Sequence, residues 1–237
     1  MNKALYMDNC YLKEFEAEVI SVKDGKYIVL DKTAFYPASG GQLNDTGVFI
    51  RLSDKKEFGV VFAGKFSGEI SHEVSEEGLQ PGDKIKGIID WDRRYKLMRM
   101  HTAAHIVSGV FHKEAGALIT GNQLDLEKTR IDFSLENFDR EKINEYFSKS
   151  NELVNKDLPI KIYTMPRAEA EKDSAMFKLA KELPSSIKEI RVVEIIGFDR
   201  QADGGTHVKS LKEIGRIEFL KAENKGKDNR RVYFTLK

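Results

Sequence analysis

A chain of 237 residues, 41% hydrophobic and 32% charged, has the balance of a soluble globular protein and can bury a core as one large or two modest domains. Its 39 Lys and Arg against 38 Asp and Glu give a formal charge of +1, which excludes a global basic field as the means of attracting nucleic acid. Cys10 is the sole cysteine, which excludes an internal disulfide and a Cys-rich zinc knuckle and leaves histidines and carboxylates as metal ligands.

The N-terminus carries Asp8 and Asn9 where a secretory signal needs an apolar core, and no run approaches about 18 apolar residues. A cytoplasmic protein with no membrane partner is therefore expected. From 15 to 90, short β-type runs at 16–22, 26–30, 47–52, 57–63, 68–72 and 84–90 alternate with turn residues. Asp24-Gly25, Gly40-Gly41, Gly64 and Pro81-Gly82 supply the breaks that such strands need. This pattern reads as a small β-barrel or sandwich.

Near Trp91 the period changes. Tyr95, Met98, His101, Ala104, His105 and Ser108 recur at helical spacing, with Asp92 available as a cap, which predicts a helix over 93–113. A turn at Ala115-Gly116, an apolar piece at 117–120 and an alternating strand at 129–133 follow. Asp139 should cap a second helix with Ile143, Tyr146, Phe147 and Val154 on one face, ending before Pro159. Strands at 160–163, 190–196, 215–220 and 231–236, with a polar helical segment over 167–181, complete an α+β half. The expected organisation is a β-barrel domain over 1–91 and an α/β domain with a mostly antiparallel sheet over 92–237.

His101 and His105 stand four apart on the predicted helix, so both imidazoles project from one face and can reach one ion. Alone, such a pair more often consists of partly buried core histidines bonded to carbonyls. The segment Gln201-Ala202-Asp203-Gly204-Gly205-Thr206-His207 changes the balance, because it sets a carboxylate and a histidine four apart across a glycine pair. Glycine lets the backbone turn sharply and approach an ion closely. Three of the five histidines thus fall in spaced pairs, and imidazole with one carboxylate suits zinc. Thr102, not Glu, follows His101, so the general base of an HExxH peptidase is missing. His72 and His112 lack such spacing and read as surface or packing residues.

Taken together, Arg99-Met100-His101-Thr102-Ala103-Ala104-His105 and Asp203-Gly204-Gly205-Thr206-His207 resemble the zinc motifs of the AlaX family, free-standing relatives of the alanyl-tRNA synthetase editing domain. Phe35-Tyr36-Pro37-Ala38-Ser39-Gly40-Gly41-Gln42, with Asp45 and Gly47, resembles the glycine-rich motif of the medium-length class. Pro159-Ile160-Lys161-Ile162-Tyr163, followed by Pro166-Arg167, is also similar, so the likeness runs from about Thr33 to about Gly215. Nothing resembles an ATP-dependent aminoacylation domain. The resemblance implies a trans-editing deacylase that hydrolyses tRNA(Ala) mischarged with serine or glycine, with one zinc on His101, His105, His207 and Asp203.

Asp203 stands where the family usually has cysteine, so it is read as the fourth ligand or as a base or orienting group beside the metal. The resemblance also places Gly40, Gly41 and Gln42 against the tRNA 3′ end, and Thr120 against the amino acid as a catalytic-site selector of serine. Arg93, Arg94, Lys96 and Arg99, with Lys221, Lys225, Lys227, Arg230 and Arg231, are candidate phosphate contacts. A non-catalytic RNA-binding module with a structural zinc is the alternative function. A monomer is slightly favoured.

Overall fold

The computed structural model describes residues 2–136, 139–173, 176–178 and 187–237. Its contacts divide into two compact units, Met1–Leu97 and Met98–Lys237. Among the described residues no helix is long and apolar enough to cross a membrane.

The first unit contains β1 (Lys3–Ala4), β2 (Glu14–Lys23), β3 (Tyr27–Leu30), β4 (Lys32–Thr33), β5 (Gly47–Arg51), β6 (Glu57–Phe66), β7 (Glu69–Val74) and β8 (Lys84–Ile89). Six of them close into a barrel in the order β2-β3-β7-β6-β5-β8, every pairing antiparallel, and β1 pairs parallel with β4. Alternation along β2 shows why: Phe15, Ala17 and Val19 are buried while Glu14, Glu16 and Glu18 face out. With Ile28, Leu30, Phe49, Phe58 and Ile85 they fill the barrel. His72 lies inside, edge-on to Phe35 and Phe49. Its Nδ1 donates to the Ile28 carbonyl at 3.0 Å, which leaves Nε2 to accept from the Thr33 hydroxyl at 2.8 Å. Burial, opposed by that backbone bond, lowers the His72 pKa to about 4.

A long helix, α1 (Trp91–Ala115), starts in the first unit and continues into the second. Asp90, not Asp92, caps it: its carboxylate accepts the Arg93 N–H at 3.2 Å, and Asp92 lies in the first turn. Every residue from 100 to 111 is buried, as expected of a core helix with no solvent face.

The second unit continues with β9 (Ile119–Leu124), β10 (Thr129–Phe133), α2 (Arg140–Asn155), β11 (Ile160–Pro166), α3 (Arg167–Ala170), β12 (Glu189–Ile195), β13 (Asp199–Ala202), β14 (Ile217–Asn224) and β15 (Arg230–Leu236). Two antiparallel sheets result, in the orders β14-β15-β10-β9 and β11-β12-β13. Asp139 caps α2 as expected, accepting the N–H groups of Glu141 and Lys142. Phe111 of α1 stacks on Phe133 of β10 with centroids 4.3 Å apart and meets Tyr146 of α2 edge-on. The polar helix expected over 167–181 extends only to Ala170 as α3. Turns occupy 171–172, and residues 174–175 and 179–181 lie outside the described residues.

Within the first unit, Arg94 is fully buried and paired with Asp45 through both Nε and a terminal nitrogen. That terminal nitrogen, Nη2, also donates to the Ala34 carbonyl and Nη1 donates to the Cys10 carbonyl, while Asp45 also accepts the Tyr36 N–H at 2.6 Å. Removing the cation strands a desolvated carboxylate. Arg94→Ala should therefore lower the unfolding free energy by about 3–5 kcal/mol in urea titrations, and Arg94→Met with Asp45→Leu should recover part of the loss. A loss under about 1 kcal/mol in the single variant would show the pair to be dispensable.

Candidate metal centre

α1 presents His101 and His105 one turn apart on one face, with ring centroids 5.1 Å apart. His207 completes the group, its centroid 4.3 Å from that of His101 and 4.6 Å from that of His105. Asp203 follows directly on β13. Its N–H donates to the Arg191 carbonyl at 3.0 Å and its own carbonyl accepts from the Arg191 guanidinium at 2.9 Å, which anchors the loop to β12. The Gly205 N–H donates to Asp203 Oδ2 at 2.8 Å, so the loop folds around its own carboxylate.

Gly205 is required sterically. A Cβ there would lie 2.2 Å from Cε1 and 2.3 Å from Nδ1 of His101. Only a bare backbone lets the loop and the helix approach closely enough for their side chains to meet.

One ligand atom from each of His101, His105, Asp203 and His207 lies within 4.8 Å of all the others. A tetrahedral ion with bonds of about 2.0–2.2 Å sets its ligand atoms about 3.3–3.6 Å apart, so small inward shifts suffice. Asp203 Oδ2 is 2.8 Å from His207 Nε2, and Oδ1 is 3.6 Å from His101 Nε2. Nitrogens and oxygens thus converge on one point, and the group could hold a metal ion.

The electrostatics fit that use. Burial lowers the pKa of His101 to about 4, partly offset by Asp203 and reinforced by His105 and Arg191. Burial and the neighbouring His207 lower His105 to about 3, and burial and His101 lower His207 to about 4. All three imidazoles are therefore neutral at physiological pH, with lone pairs available. Burial pushes the Asp203 carboxyl the other way, but His101 and the hydrogen bond from His207 prevail and hold it well below the usual range. The Asp203 side chain is 20% exposed against 6% for His101 and 0% for His207, so access to the group is from the carboxylate side.

Other expected site residues lie in varied settings. Gly40 and Gly41 have φ of +58° and +87° and form a two-residue turn closed by paired Ser39 and Gln42 backbone bonds. The Gln42 side chain is buried, so only the two glycines of that trio present surface. Thr120 is exposed on β9 and donates to Asn229 Oδ1 at 3.2 Å. Arg94, expected to contact tRNA, is instead buried on Asp45 and has no surface from which to reach a phosphate. Several other basic candidates serve the fold as well. Arg99 donates twice to the Ile214 carbonyl, Arg231 grips Asp132 with two bonds, and Arg230 collects loop carbonyls including Gly226. Lys96 and Lys227 remain exposed.

A polar chain behind the site went unread in the sequence. A buried Lys178–Asp199 ion pair is joined by Gln201, whose amide donates to Asp199 at 2.7 Å and to Ser108 Oγ at 3.3 Å. Ser108 donates in turn to the His105 carbonyl at 3.2 Å. Lys178, Asp199 and Ser108 carry no motif, and only the alternation of β13 could have turned Gln201 inward.

Residues 3–93, the barrel, match the family described as class II (A) tRNA synthetases. Residues 190–233, which include Asp203 and His207, match the second additional domain of threonyl and alanyl tRNA synthetases. Over 100% of its length the chain is 54% identical to the alanyl-tRNA editing protein AlaX-M of Methanosarcina barkeri, covering 99% of that protein. It is 56% identical to the Methanosarcina mazei AlaX-M, again over the full chain and covering 97% of the relative. The alanine–tRNA ligase of Thermofilum pendens is 39% identical over 92% of this chain, but the match covers only 24% of the ligase. Identity of this extent to two free-standing proteins, end to end, shows that the chain belongs to the AlaX family of alanyl-tRNA editing proteins, in its medium-length class.

Proposed function

We propose that this protein is a zinc-dependent aminoacyl-tRNA deacylase that releases serine, and secondarily glycine, from mischarged tRNA(Ala) in the cytoplasm. The observation that carries the reading is the convergence of three neutral imidazoles and one carboxylate, open on one side, in a chain of this family. The match to a quarter of a ligase supports editing separated from charging.

The scissile bond is an ester between the amino acid and the terminal ribose. Zinc on His101, His105, His207 and Asp203 would polarise the ester carbonyl and acidify a water. The chain's own residues supply the rest. The imidazoles hold their nitrogens uncharged and buried, so no proton competes for the lone pairs. Asp203, at the open edge, adds the negative charge and orients the incoming water through its carboxylate. The bare backbone of Gly40 and Gly41 contacts the tRNA 3′ end. Thr120 selects serine, because its hydroxyl donates to Asn229 and keeps lone pairs for a substrate hydroxyl.

Protein purified without added metal should contain one zinc per chain by elemental analysis, and Asp203→Cys should bind it more tightly in chelator competition, a thiolate being the softer ligand. Unchanged affinity would remove Asp203 from the ligand set.

The purified protein should hydrolyse Ser-tRNA(Ala) faster than Gly-tRNA(Ala), spare Ala-tRNA(Ala), and stop with chelator. Binding of tRNA without turnover would instead establish an RNA-binding module. Thr120→Val should reduce the ratio of Ser-tRNA to Ala-tRNA hydrolysis by about fivefold, near 1 kcal/mol, a modest loss because the hydroxyl is exposed to water. An unaltered ratio would dismiss Thr120 from specificity.

A further inference from the structure

Directly behind His207 sits Thr102, fully buried on α1 between two metal-ligand candidates of that helix. Its Oγ1 lies 3.0 Å from the Met98 carbonyl and can donate to it, an ordinary bond for threonine in a helix. Two further contacts are not ordinary. The Val208 N–H donates to the same oxygen at 3.3 Å, and His207 Nδ1 lies 3.1 Å from it. Both partners come from the loop that carries Asp203 and lie more than 100 residues away in sequence, at separations of 105 and 106. One hydroxyl thus bonds its own helix and the two residues that end the metal loop.

A hydroxyl has one hydrogen to give and two lone pairs to fill. If its hydrogen goes to Met98, both lone pairs are filled by Val208 N–H and by a proton on His207 Nδ1. That arrangement leaves His207 Nε2 unprotonated and facing Asp203 Oδ2 at 2.8 Å. Two acceptors this close repel each other unless a proton or a cation lies between them. With a proton on Nε2, as a hydrogen bond to Asp203 requires, the neutral ring has a lone pair on Nδ1, and the Thr102 hydroxyl must turn to donate there. The same oxygen serves both states by rotating its hydrogen.

We propose that Thr102 is the positioning residue that fixes the tautomer of His207. In metal-free protein the imidazole carries its proton on Nε2, shared with Asp203, and accepts from Thr102. When zinc occupies the centre, the Nε2 proton passes to solvent, Nδ1 takes up one proton from solvent and donates it in a hydrogen bond to Thr102, and the threonine hydrogen turns back to Met98, with no net proton released. The imidazole is neutral in both states. Histidine ligands are commonly held this way by a carbonyl or carboxylate on the other nitrogen. Here a hydroxyl is used, and unlike either of those it can both accept and donate. This proposal rests on the metal-centre reading but not on deacylation.

The test uses full-length protein, with zinc as the probe. In wild type, 15N-edited NMR of the His207 ring should show the Nε2–H tautomer without metal and Nδ1–H after one equivalent of zinc. A loaded spectrum with the proton on Nε2 and Nδ1 metallated would overturn the proposal, with no variant needed. Thr102→Val, which keeps the shape and deletes the hydroxyl, should weaken zinc binding by about 10–100-fold in chelator competition. Thr102→Ser should restore it to within a few fold. Valine that merely lowers the urea midpoint while binding zinc as tightly as wild type would make Thr102 a packing residue. Failure of the broader reading looks different: wild type itself would bind no zinc, or would bind it with the predicted tautomer and hydrolyse nothing.

Discussion

The four candidate ligands meet because the 203–207 loop and α1 come closer than side chains ordinarily permit. Gly205 is where that approach is decided, since a Cβ there would occupy the position of the His101 ring. Everything downstream follows from this single steric fact. Asp203 and His207 can face His101 and His105 only if the loop backbone lies flat against the helix, and Thr102 can bond to His207 and Val208 only at the same separation. Anchoring by Arg191 and closure by Gly205 N–H onto Asp203 hold the loop in the shape that the approach demands.

Burial and low pKa do not by themselves mark a ligand. His72 is as buried as His101, and burial lowers both to about 4. The difference lies in what the ring nitrogens face. Both nitrogens of His72 are satisfied inside the barrel, one by a carbonyl and one by Thr33, so it is a core residue with a complete hydrogen-bond account. The Nε2 atoms of His101 and His207 instead face a shared carboxylate. Two histidines of nearly equal desolvation therefore have different chemistry because of geometry.

Much of this was legible in the sequence where the physics is local. The barrel strands follow from alternation and turn residues, α2 from the Asp139 cap, and β10 from its period. The His101 and His105 pair was legible because a four-residue spacing on a helix sets both side chains on one face. Long-range partners were not. Arg94 sits in a basic run on a helix, the usual pattern of a solvated face, and only the fold reveals Asp45 opposite. Gln42 lies beside two glycines in a turn, yet its side chain points inward. Asp90 displaced Asp92 as the α1 cap because the helix starts two residues earlier than its apolar period suggests. Thr102 could be read only as the absence of glutamate, since its partners lie over a hundred residues away.

Asp203 in place of a thiolate has a consequence that reaches beyond affinity. A thiolate is a one-atom ligand with little use for hydrogen bonds, whereas a carboxylate brings two oxygens and accepts readily. Here Oδ2 takes the Gly205 N–H and lies nearest His207, while Oδ1 lies toward His101. The side chain that closes the donor set is thus also the one that shapes its loop. Because Asp203 is 20% exposed against 6% for His101 and 0% for His207, that oxygen pair also lies at the open edge of the group. A cysteine thiolate would keep the charge but lose both oxygens, and with them the strong acceptor for the Gly205 N–H. Replacing it alters the loop's own hydrogen bonding, the candidate ligand set and the polarity of the group's open edge together, so these three properties are coupled through one residue.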